Sequence, residues 1–235
     1  MSYEKLTTTT EVELDNLKYR LLAMGELVER QVRDAVRALV GAEHNLAETV
    51  VSREAEVNAM EIELDNQCTE LIALRQPEAG DLRRVLTASK VISNLEQIGD
   101  HAKKVARYAI AIGEANVVQA RKLTDIEILA DQSLAALRDA LTAYCHLNAQ
   151  AAQAVIDRDP AHDDRSQTVA RQVLSYAMED PRLITWALLA AAAAKAIERV
   201  GHQATKIAEH TIYAAEARDV RHRSKQGSPQ PAAAS

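Results

Sequence analysis

Apolar residues recur at Leu14, Leu17, Leu21, Leu22, Met24, Val28, Val32, Val36, Leu39 and Val40 in steps of three and four. That period places them on one stripe of a long helix, and the threonine run Thr7 to Thr10 offers N-cap hydroxyls ahead of Glu11 and Glu13. A second helix is predicted over about 46–74, with Val50, Val57, Met60, Leu64, Cys68, Leu71 and Ile72 inward, broken by Pro77 and Gly80. A third covers about 81–112 and ends near Gly113. The pattern then restarts with helices over about 125–145 and 149–178 and from Pro181, well placed at a helix start, to about 218.

The restart is an internal repeat. Glu96, Gly99, Ala102, Lys104 and Ala106 recur as Glu198, Gly201, Ala204, Lys206 and Ala208, each 102 positions on. Upstream, Val50, Arg53 and Glu54 match Val155, Arg158 and Asp159 at an offset of 105, and Asn58 matches Asp163. Two tandem three-helix bundles follow, over 1–115 and 116–218, with a disordered Gly/Ser/Pro/Ala tail over 219–235.

Composition narrows the class. No Phe, one Trp and 3% aromatics leave burial to Ala, Leu, Val and Ile, and seven Gly with five Pro are too few for the turns of a β-fold. The fold class is all-α. A net charge of −6 argues against a general nucleic-acid binder. Cys68 and Cys145 are far apart, fall among apolar helical positions and read as reduced, buried thiols of a cytoplasmic protein. The first residues lack the apolar core of a signal peptide, and the run from Leu183 to Ala194 is too short to span a bilayer. Membrane association is therefore expected only through partners.

The chemistry-bearing pattern is a set of carboxylates. Glu96 and Asp100 share one helix face, as do Glu61 and Asp65, with Glu54 a further turn away. On facing helices such a cluster repels itself unless protons or cations offset it. A multinuclear metal site and a solvated acidic face both fit the spacing. The second repeat offers Asp159, Asp163, Glu198 and His202, the imidazole suiting a transition metal better than Mg²⁺ or Ca²⁺. Gly99 and Gly201, costly inside a helix, point to close approach of a neighbouring helix or a ligand. His44, His146 and His162 show no informative spacing, and Arg75, Arg83 and Arg84 read as helix-end or surface charges. No Walker loop, Gly-x-Ser-x-Gly, His-Glu-x-x-His or Glu-x-x-His motif is present.

The segment Leu74-Arg75-Gln76-Pro77-x-x-x-Asp81-Leu82-Arg83 followed by Leu95-Glu96-Gln97-Ile98-Gly99-Asp100 closely resembles the signature of PhoU proteins. So do Val57-Asn58-x-Met60-Glu61-x-x-x-Asp65, Tyr176-Ala177-Met178-Glu179-Asp180-Pro181 and Ile197-Glu198-Arg199-Val200-Gly201. Met24-Gly25-x-Leu27-Val28-Glu29-x-Gln31-Val32 is similar to the family as well, and the resemblance covers about residues 11–222. It implies paired three-helix bundles, a homodimer, and a regulator acting between the ATPase of a phosphate ABC transporter and a sensor histidine kinase, repressing at high phosphate. It also implies metal ions, iron, zinc, magnesium or manganese in different members, on Glu54, Glu61, Asp65, Glu96 and Asp100, and on Asp159, Asp163 and Glu198. The first repeat keeps the full motif. His202 departs from it, standing where the family usually has Asp. A metal-dependent helical-bundle enzyme using the same carboxylates is the alternative.

Overall fold

The computed structural model describes residues 3–114 and 123–221. Among these residues every regular element is helical: α1 Tyr3–Gly41, α2 His44–Arg75, α3 Ala79–Glu114, α4 Thr124–Cys145, α5 Ala149–Glu179 and α6 Ile184–Glu216, with a 3₁₀ turn at Pro181–Leu183 before α6.

Helices α1, α2 and α3 pack on one another, as do α4, α5 and α6, and the two bundles meet chiefly along α3 and α6 with a smaller α1–α4 contact. One apolar core runs through both bundles. Small side chains on α6 (Ala187, Ala190, Ala193, Ala194, Gly201 and Ala204, all buried) let three neighbours approach it closely. Trp186, fully buried, anchors its start beside Tyr176, with ring centroids 6.1 Å apart. The α3–α6 seam also carries a polar chain. The Asn94 amide donates to Gln203 at 2.8 Å, and Gln203 donates to Gln97 at 2.8 Å.

The repeat extends to the connections. Ala42 and Leu147, 105 residues apart, both take positive φ, 54° and 48°, to reverse the chain between the first two helices of each bundle. Asn148 then caps α5 by accepting from Ala151 N at 3.0 Å.

Four expectations need correcting. α1 starts at Tyr3, so the threonine segment lies inside the helix rather than at its start. Each threonine costs an extended helix only about 0.7 kcal/mol against Ala, too little to stop it. Ile72 is exposed, because the buried stripe of α2 steps from Cys68 to Leu71 and leaves its neighbour outside. Cys145 ends α4 and is only half-buried, whereas Cys68 is buried; both are free. α6 begins at Ile184 because Asp180 caps the Pro181–Leu183 turn, accepting from Arg182 N at 3.1 Å. Of the 219–235 tail, 222–235 lie outside the described residues.

A candidate metal centre

The buried stripe of α2 reads Ala47, Val50, Val57, Leu64, Cys68 and Leu71. Stepping by three and four, Glu54 and Glu61 fill the two gaps between Val50 and Leu64, so these acids occupy core-facing positions. α5 repeats the arrangement 105 residues later. Its stripe is Ala152, Val155, His162, Ser166, Val169 and Val173, and Asp159 fills the gap. The two polar clusters are thus equivalent interruptions of equivalent seams, against α3 in one bundle and α6 in the other.

Glycines let each seam close. A Cβ on Gly99 would stand 3.2 Å from Val57 Cγ1, and one on Gly201 only 2.7 Å from His162 Cε1. Of the two neighbours expected, a helix or a ligand, each glycine faces a helix, Val57 of α2 in one case and His162 of α5 in the other.

In the first bundle the carboxylates repel one another and are partly neutralised by lysine. Burial, then Asp65 and Asp100, raises the Glu61 carboxyl above its ordinary range. Burial, then Asp100, Glu61 and Glu54, does the same to Glu96, with Lys104 opposing. Glu54 forms an ion pair with Lys103, both side chains about four-fifths buried. Asp65 accepts from Ser89 Oγ at 3.0 Å, and Lys104 lies 3.7 Å from Asp100. All five predicted residues share one region, yet their oxygens do not converge on a point.

Convergence occurs in the second bundle. Among the described residues, the one set of three His, Cys, Asp or Glu donor atoms within 4.8 Å of one another belongs to Asp159, Asp163 and His202, all half-buried. His202 Nε2 is 2.6 Å from Asp163 Oδ1, and Thr205 Oγ1 donates to Asp159 Oδ1 at 2.9 Å. Glu198 stands at the edge of this set, 3.9 Å from His202, and is engaged elsewhere. It is buried, and it accepts from Ser166 Oγ at 2.6 Å and Lys195 Nζ at 2.5 Å. Burial pushes its carboxyl up, but the bonds from Lys195 and Ser166 outweigh that and hold it below its usual range. The full motif of the first repeat therefore does not carry the tighter geometry.

His162, which the sequence left unassigned, backs the set. Its Nε2 is 2.7 Å from Ser133 Oγ. The serine hydroxyl has the carbonyls of Leu129 and Ile197 within 3.0 and 3.1 Å to donate to. With its single hydrogen turned to a carbonyl the serine is free to accept from Nε2–H, the tautomer assigned from this network. Nδ1 is buried with no hydrogen-bond partner among the described residues. Burial lowers the imidazole pKa below its ordinary value, with His202 adding to the effect and Asp159, Asp163 and Glu198 opposing it. His162 and Asp159 line one cavity of about 340 Å³ with Gly201 and Thr205. Lys103, Ser166, Thr205 and His162 all sit on the buried seams or against them. Extending the repeat offsets to every seam position, acidic or not, finds them.

Two carboxylate oxygens and an imidazole nitrogen form a donor set that fits a transition metal ion. Asp159, Asp163 and His202 would hold it. In the first bundle the oxygen-only set fits a hard cation better.

A PhoU domain model matches residues 21–109 and again 126–211, once per bundle. The phosphate-specific transport system accessory protein PhoU homolog of Pseudomonas putida is 40% identical over 210 residues, covering 89% of this chain and 82% of that protein. The phosphate-specific transport system accessory protein PhoU of Escherichia coli K12 is 34% identical, covering 89% and 86%. The crystal structure of PhoU from Pseudomonas aeruginosa superposes with a TM-score of 0.84 at 38% identity, covering 88% of this chain and 99% of that one. With both halves matched and relatives similar over nearly their whole length, the chain belongs to the PhoU family.

Proposed function

We propose that this chain is a regulator of phosphate uptake and phosphate-starvation signalling, acting as a cytoplasmic, non-enzymatic adaptor. The observation that carries the reading is the double PhoU-domain match across both bundles, together with relatives named as accessory proteins of phosphate transport. In this reading the paired bundles form a rigid homodimeric body. Its faces dock on the ATPase of a phosphate ABC transporter and on a sensor histidine kinase, holding the kinase in its repressing state when phosphate is plentiful. No helix among the described residues is long and apolar enough to cross a membrane, which fits docking through partners.

The chain's own residues give the body its rigidity. The buried seams of α2 and α5 lock against α3 and α6, and the Asn94–Gln203–Gln97 chain fixes the register between bundles. Metal ions on the interrupted seams would neutralise the carboxylates and tie α2 to α3 and α5 to α6. The reading as a metal-dependent enzyme is not favoured, since the relatives are named as accessory proteins.

The test is affinity capture of the tagged chain from detergent-solubilised membranes of phosphate-replete cells. Co-purification of the transporter ATPase and the kinase is expected. Recovery of neither partner, with the tagged chain itself intact, would overturn the adaptor reading.

A further inference from the structure

Leu174 and Met178 stand four apart on α5, Ile184 and Leu188 four apart on α6, and all four are exposed, Met178 to 86%. Tyr176 beside Trp186 and Ser166 bonded to Glu198 set α5 and α6 antiparallel, so Leu174 is level with Leu188 and Met178 with Ile184. Steps of three and four lead from Asp163 to Leu174 and Met178, and back from His202 to Leu188 and Ile184. The four therefore share the face on which Asp163 meets His202. They make one apolar patch across the tip of the α5–α6 hairpin, with Arg171 and Glu179 exposed along its α5 edge. A contiguous apolar patch rimmed by polar residues marks an interaction site.

The repeat narrows what the site can hold. In α2, 105 residues earlier, Thr69 and Ala73 stand in place of Leu174 and Met178, flanked by Glu63 and Glu70. Two copies of α2 would meet with like charges and little apolar surface. Contacts run from α2 to α3, α3 to α6 and α6 to α5, so α2 and α5 lie at opposite edges of one row of helices. A contact from α2 of one copy to α5 of the next would propagate without closing. The α5–α6 tip, by contrast, can face itself.

We infer that the α5–α6 tip is the homodimer interface, its occupant the same tip of a second copy of this chain related by a two-fold axis. The inference rests on the homodimeric part of the proposed function and goes beyond it by assigning the surface. With the two α5 helices antiparallel across the axis, Leu174 of one copy packs on Met178 of the other. The same register lays Arg171 within a turn of the other copy's Glu179. Because each copy carries both signs on its rim, the patch is complementary to itself, whereas a uniformly acidic or basic partner would meet like charge at one of them. A stable dimer buries about 800 Å² per partner, so polar surface around the tip joins the contact and the four apolar side chains are its central anchors.

Sedimentation velocity of the full-length protein over a micromolar concentration series tests it. The wild type is expected to be a dimer. Leu174→Glu with Met178→Glu should weaken dimerisation at least about a hundredfold. Thr69→Glu with Ala73→Glu, at the equivalent positions of the first bundle, should leave it unchanged, and circular dichroism checks that both variants keep wild-type helicity. Arg171→Glu alone should weaken the dimer about tenfold, and adding Glu179→Arg to the same chain should restore it, as a two-fold contact requires. A dimer that survives the Leu174 and Met178 substitutions, or that dissociates on the Thr69 and Ala73 ones instead, overturns this inference while the homodimer stands. If the Leu174 and Met178 variant stays dimeric but no longer captures the transporter ATPase, the tip belongs to that partner and the inference falls. A wild type that is monomeric throughout overturns the interface and the homodimer together, and leaves the adaptor role to the capture experiment.

Discussion

Gly201→Ala is the substitution on which intrinsic helix preference and local packing disagree most sharply. In an open helix the change stabilises by about 1 kcal/mol. Here the new Cβ would lie 2.7 Å from His162 Cε1 and 3.0 Å from both ring nitrogens. The ring cannot retreat freely, because its Nε2 is tied to Ser133 Oγ at 2.7 Å. Overpacking of this kind costs about 1–3 kcal/mol, and losing the buried Ser133–His162 bond adds about 1 kcal/mol. Subtracting the propensity gain leaves a net destabilisation of about 1–3 kcal/mol, a fall in melting temperature of about 2–12 °C for a chain of this size. Urea denaturation followed by circular dichroism measures it. The internal control is the same substitution in a His162→Ala background, where the obstacle is gone and Gly201→Ala should turn stabilising by about 1 kcal/mol. A Gly201→Ala protein more stable than wild type would refute the close approach of α5 to α6 and with it the seam on which the candidate centre is built.

Two further predictions concern the first bundle. Glu96 has a folded pKa raised by burial and by Asp100, Glu61 and Glu54, so the native state binds more protons than the unfolded chain between the ordinary and the raised value. Stability of the metal-free protein should therefore fall as pH rises through that window, and Glu96→Gln should be the more stable protein at neutral pH. Relief of the four-apart Glu96–Asp100 repulsion is worth about 0.2–0.5 kcal/mol, and the advantage should vanish below the ordinary carboxylate pKa; equal stability at all pH in chelator would contradict it. Lys103→Met leaves Glu54 without its buried counter-charge and should cost about 1–3 kcal/mol in thermal melts of chelator-treated protein. Added divalent cation should recover part of that loss, and an unchanged melting temperature in chelator would show that the pair contributes nothing.

Much of this architecture was legible in the chain because a repeated three- and four-residue period, Pro and Gly breaks and a 102–105 residue offset are local signals. Helix count, order and most of the stripe from Leu17 to Leu39 follow from them. The start of α1 did not, since threonine hydroxyls fit a cap and a helix interior almost equally well. At the candidate centre the acids were visible as residues, but their convergence was not. Spacing puts Glu96 and Asp100 on one face, as it does Glu198 and His202, yet it cannot say that Lys103 neutralises one seam while Thr205 leaves the other open. Nor does it give the buried His162–Ser133 contact, which depends on how α4 and α5 pack together.

The regulatory role is tested most directly by deleting the gene from the chromosome and measuring alkaline phosphatase reporter activity in phosphate-replete medium. High, constitutive activity that returns to the repressed level when the wild-type chain is supplied is the predicted result. Full repression in the deletion strain, with no second PhoU-family gene to supply it, would contradict the role proposed here.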